Sequence, residues 1–140
     1  FTLKDIKLNS FVDPLVPGVT CHVASIEANL SLSDPSDSAV SCRQTGEITP
    51  EMIARIKKGK TGEVVFEKSK SVFLKTLKIR RIFDEESQTL MYLSYSTRET
   101  SGSFKHSLST IPLWGTAAYV QPQSKSQSVE QNKSSTEQSF

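Results

Sequence analysis

Two cysteines, two histidines and an uneven spread of lysine and arginine are the residues of this 140-residue chain with most chemistry to offer. Cys21 lies in VTCHV and Cys42 in AVSCRQ, and both surroundings alternate like strands. An even pair without a CxxC motif favours a structural disulfide, which needs two adjacent strands to bring the sulfurs together. Closing a loop of that size constrains the unfolded chain by about 3 kcal/mol. The alternative is two buried free thiols, because an unbridged cysteine packs as a small hydrophobe. A catalytic Cys21 with His22 as its base is disfavoured by the pleat, which sends successive strand residues to opposite faces.

Other constellations are thinner. Gly59-Lys60-Thr61 resembles the end of a phosphate-binding loop, but the glycine required earlier in that motif is replaced by Ala54. The motif also needs a strand before it and a helix after it, and here the order is reversed. A helix end followed by a turn with Gly62 is the simpler reading. His22 and His106 belong to no HExxH pattern, and two cysteines alone do not make a four-ligand zinc site, so no metal and no cofactor are expected. Asp34 with Asp37, and Asp84 with Glu85 and Glu86, lack EF-hand spacing and read as solvated turns. No catalytic residues are assigned.

Charge is more informative in its distribution than in its sum. Residues 55 to 81 contain ten Lys or Arg against Glu63 and Glu67, a balance of +8, whereas residues 1 to 54 sum to −4 and the whole chain to +2. Arg55, Lys57, Lys58, Lys60, Lys78 and Arg80 are the candidate face for an anionic partner, with Arg81 sent to the opposite side by strand alternation. A solvated face with no partner is the bland alternative. Nucleic acid is not expected, because stacking on bases needs exposed aromatics, and Phe66, Phe73 and Phe83 read as core residues.

The elements that must position these residues follow from periodicity. Ile6, Leu8 and Phe11 suggest a short first strand over Asp5 to Phe11, ended by Asp13-Pro14 and Pro17-Gly18. Strand patterns recur over 19–24, 39–44, 63–67, 71–83, 89–97 and 108–113, the last with Pro112 confining it to an edge or an end. Asn29 to Asp37 reads as a loop. One helix is predicted over about Pro50 to Lys58. Thr49 suits its N-cap, Pro50 its first turn, Ile48 and Ile53 a hydrophobic staple, and Gly59 a left-handed cap. The expected fold is α+β: a mainly antiparallel sheet of sandwich or barrel character with that short helix (50–58) packed on it.

With 36% hydrophobic and 23% charged residues, the length fits one globular domain, expected over 1–117. Residues 118–140 are expected to form a disordered Ser/Gln-rich tail, since eleven of the twenty residues from Gln121 onward are Ser or Gln. No stretch is long and apolar enough to read as a transmembrane span, so a soluble chain is expected.

Several segments taken together resemble one family. VTCHVAS around Cys21, SDSAVSCRQTG around Cys42, RIKKGKTGEVVFEK from Arg55, SVFLKTLKIRRIFD from Ser71, LMYLSYS from Leu90 and SLSTIPL from Ser107 are similar, in this order, to the CreA family of small exported bacterial proteins. The resemblance covers about Asp5 to Leu113. It implies a usually periplasmic protein whose signal peptide is removed, in keeping with a start at Phe1, and it strengthens the Cys21 to Cys42 disulfide because the periplasm is oxidising. Related plant plastid domains leave the compartment open. The resemblance supplies no reaction and no catalytic residues. The function expected is a non-enzymatic binding or envelope-associated module for an acidic protein or anionic envelope component. The alternative is an enzyme whose site is built from dispersed carboxylates or hydroxyls.

Overall fold

Alternating side chains along seven short segments give seven strands among the described residues, each with one face to bury. The computed structural model describes residues 6–26, 38–69, 76–96 and 106–122. In chain order the elements are β1 (Ile6–Val12), β2 (Val19–Ile26), β3 (Ser38–Gln44), α1 (Pro50–Arg55), β4 (Glu63–Ser69), β5 (Thr76–Asp84), β6 (Thr89–Ser96) and β7 (His106–Pro112). They form a three-stranded sheet, β1-β2-β3, and a four-stranded sheet, β4-β5-β6-β7. Every pairing is antiparallel. The two sheets pack as an open sandwich, so of the two expected forms the barrel is not reached.

The core lies between the inward faces. Val19, Cys21 and Val23 of β2 meet Leu77 and Ile79 of β5 and Leu90 and Tyr92 of β6, all at most 1% exposed. Phe11 of β1 stacks on Phe66 of β4, ring centroids 4.7 Å apart, which brings the outer strands of the two sheets together. At the opposite margin, β3 lies beside β7 without forming a ladder. There the hydroxyls of Ser107 and Ser109 accept hydrogen bonds from the backbone N–H groups of Val40 (3.0 Å) and Cys42 (2.8 Å).

The helix is shorter than its sequence pattern predicts. Its start is as expected: the Thr49 hydroxyl accepts from the Met52 N–H at 3.3 Å, with Pro50 in the first turn. Ile48 and Ile53 are both buried, the staple that fixes the entering chain. It ends at Arg55, however, where Ile56 turns extended and buries its side chain, and the next five residues offer no apolar group to continue the stripe. Gly59 is therefore not the left-handed cap. That conformation belongs to Gly62, at φ 56°, where an added Cβ would collide with the Arg81 carbonyl oxygen.

After β7 the chain stays packed on the core: Ala118 is buried and its N–H donates to the Ile48 carbonyl at 3.1 Å. Gln88 then holds Val120 as a strand would, donating to its carbonyl (2.7 Å) and accepting from its N–H (2.8 Å). Residues 123–140, with most of the expected tail, lie outside the described residues, as do Asp34, Asp37, Phe73 and the strand pattern over 71–75. No helix among the described residues is long and apolar enough to cross a membrane.

Candidate functional site

The basic segment folds into a loop and a neighbouring strand rather than one surface row. Arg55 ends α1, and Lys57, Lys58 and Lys60 follow in the connection to β4; all four are exposed, with no ion-pair partner among the described residues. A turn closes this loop, the Gly62 N–H donating to the Gly59 carbonyl at 3.0 Å. Arg80 of β5 reaches it from the sheet. Its Nη1 donates to the Thr61 carbonyl at 3.0 Å and its Nε to the Tyr95 hydroxyl of β6 at 3.1 Å. Lys78, two residues earlier on the same face, lies 3.7 Å from Glu67 in an ion pair open to water, an arrangement worth little. Of the six candidate residues, five therefore gather around the loop as uncompensated charge, and Lys78 is partly neutralised.

Beneath the loop lies a charged cluster that the sequence reading did not single out. Arg81, only 2% exposed, directs Nη2 and Nη1 to Glu63 Oε1 at 2.7 and 3.1 Å, and its Nε sits 3.3 Å from Asp13 Oδ2. The Tyr92 hydroxyl donates to the same Asp13 oxygen at 2.6 Å. Asp13 Oδ1 accepts from the Leu15 and Val16 N–H groups, which shapes the turn between β1 and β2. Glu63 also accepts from the Lys57 N–H at 3.4 Å, so one chain of contacts runs from the first sheet to the base of the basic loop. Burial, with the Asp13 charge and hydrogen bond second and third, pushes the Tyr92 hydroxyl well above the ordinary tyrosine range, keeping it a donor. The available signal was Arg81 itself: it shares the parity of Leu77 and Ile79, and a cation on a core face requires buried partners.

The remaining candidates separate. Cys21 and Cys42 face each other directly in the β2–β3 register and form a disulfide, whereas His22 points outward from it. Cys21 and His22 therefore do not meet. Among the described residues no three His, Cys, Asp or Glu side chains gather as a metal site. Asp84 ends β5 and Glu85 and Glu86 lie in the turn to β6, where the Ser87 hydroxyl bond holds the Asp84 carboxyl below its usual range. A groove of about 320 Å³ lies between α1 and the segment after β7, lined by Ile53, Phe83, Leu113, Ala118 and Val120. Glu85 is the one charged residue in its lining, so it does not extend the basic site.

Comparison with known proteins places these features in a family. The profile described as CreA protein matches residues 1–116. The chain is 42% identical over 115 residues to Protein CreA of Escherichia coli K12, an alignment covering 77% of this chain and 72% of that protein. Protein CreA of Escherichia coli O157:H7 and of the O6:H1 strain CFT073 match with the same identity and coverage. No solved structure matches. With a profile match spanning every described strand and relatives this similar, the chain belongs to the CreA family.

Proposed function

We propose that this protein is a non-enzymatic binding module of the periplasm, exported with a cleaved leader, whose basic loop receives an anionic partner. The observation that carries the reading is the loop itself: Arg55, Lys57, Lys58 and Lys60 are exposed within six residues, with no ion-pair partner among the described residues, on a base fixed by Arg80 and Glu63. A solvated face needs no such anchoring. Desolvated or surface-bound anions gain from cations already held in place, since the ordering is done before they arrive. The Cys21–Cys42 disulfide supports an oxidising compartment. The domain is taken as the packed chain with the Ser/Gln-rich segment after it as a separate tail.

The test is the triple substitution Lys57→Gln, Lys58→Gln, Lys60→Gln, assayed for binding to immobilised heparin. At about 0.5 kcal/mol for each exposed pair, losing three weakens binding roughly tenfold at low ionic strength. Thermal unfolding should not change, because none of the three side chains is buried. Unchanged retention would overturn the reading.

A further inference from the structure

Among the described residues, the outer face of the four-stranded sheet carries an apolar strip where a solvent-facing antiparallel face is ordinarily polar. Its inward face makes the contacts with the first sheet, through Phe66, Arg81, Tyr92 and Ser94. The register sets Val64, Arg80, Leu93 and Leu108 side by side across all four strands on the other face. Ile82 and Met91 pair in the next row beside them. Val64 is 37% and Leu108 55% exposed, and Ile82, Met91, Leu93 and Tyr95 are half-buried. Arg80 crosses this strip to reach Thr61, so the apolar face is continuous with the basic loop. On the far side, Glu67 and Lys78 neutralise each other.

We propose that this face and the loop together dock an acidic amphipathic helix of a partner protein; the inference rests on the anionic-partner reading and names the partner's class. Four strands side by side span about 14 Å, the length of two to three helical turns, so residues at about i, i+3 or i+4 and i+10 of one helix lie over Leu108, Leu93 and Val64, with Arg80 between the last two. The acidic flank of that helix meets Arg80, Lys57, Lys58 and Lys60. A strand partner would add to a sheet edge, using backbone groups, whereas this face offers side chains only. A membrane surface fits less well. Insertion needs apolar groups that protrude, but Ile82, Met91 and Leu93 of the strip are half-buried and the exposed loop beside it reads Lys-Lys-Gly-Lys-Thr.

The experiment compares three probes on the intact chain: a synthetic Leu/Glu amphipathic helix, polyglutamate of equal length, and vesicles of phosphatidylglycerol and phosphatidylcholine. The Leu/Glu helix should bind more tightly than polyglutamate. Val64→Thr with Leu108→Thr, which puts a strand-favouring β-branched residue at both positions, should weaken the helix roughly tenfold and leave polyglutamate unchanged. The comparison of helix with polyglutamate on the unsubstituted protein stands whether or not the variant folds. Equal affinity for helix and polyglutamate would overturn this inference while leaving the anionic-partner reading intact. Binding of neither would overturn both. Vesicle binding that depends on Leu108, without helix binding, would replace the protein partner by a membrane and overturn it too.

Discussion

At the scale of single residues, the group of Asp13, Arg81, Tyr92 and Glu63 is the costliest part of the interior and the most specific. Burying Arg81 and Asp13 sacrifices several kcal/mol of hydration for each ion, which their mutual attraction repays only when the other polar atoms are also satisfied. Here they are, by Glu63, the Tyr92 hydroxyl and two backbone N–H groups. Tyr92 gives the cluster a pH signature. Its folded-state value lies above the ordinary 10.0, so below that pH both folded and unfolded chains hold the proton and stability is unaffected. Above about pH 10 the unfolded chain releases the proton while the folded one keeps it, and stability falls by about 1.4 kcal/mol for each further pH unit. Tyr92→Phe removes this term along with a hydrogen bond worth about 1.5 kcal/mol to the carboxylate. The variant should thus be less stable at pH 7 and lose less than the parent between pH 10 and 11 in urea unfolding. Parallel pH profiles for the two proteins would refute the assignment.

At the scale of elements, the sandwich closes its β3 margin with side chains in place of a strand. The outward N–H groups of Val40 and Cys42 would otherwise present an open edge, and Ser107 and Ser109 occupy them. Ser109→Ala leaves the Cys42 N–H without its acceptor, a loss of about 1 to 2 kcal/mol. Hydrogen exchange at that amide should accelerate by about tenfold or more; unchanged exchange and unchanged stability would show that the hydroxyl is incidental. This margin also shows what the sequence could and could not reveal. Period two in SLSTIPL identifies a strand and says that Ser107, Ser109 and Ile111 share a face, but not which face is inward. The structure turns the serines in and Leu108 out, because the inward positions there meet backbone donors of β3. The helix start was legible because capping is local, and its end was not, because it depends on Ile56 finding the core. The basic loop was legible as composition. Its anchoring by Arg80 was not, since Thr61 and Arg80 are brought together only by the sheet.

For the whole molecule, stability has to be shared between two small sheets whose strands are joined mostly to their sequence neighbours. The disulfide lies within the first sheet, where β2 and β3 already place Cys21 opposite Cys42, so its contribution falls on the unfolded chain more than on the folded one. With a separation of 21 residues, the entropy removed from the unfolded ensemble is worth about 3 kcal/mol. That is a large share of the 5 to 15 kcal/mol typical of a domain. Cys21 is 0% and Cys42 7% exposed, so a thiolate reductant reaches the sulfurs only when the sheet opens. Two results should therefore travel together. Cys21→Ala with Cys42→Ala should lower the free energy of unfolding by about 3 kcal/mol or more, the excess reflecting the cavity left by two buried sulfurs. In the parent, dithiothreitol should reduce the bond slowly under native conditions and quickly in urea, as alkylation of the released thiols would record. A double variant as stable as the parent would remove the bridge from the stability of the fold. Rapid native reduction would mean instead that β2 and β3 open readily, and that the two sheets do not unfold as one unit.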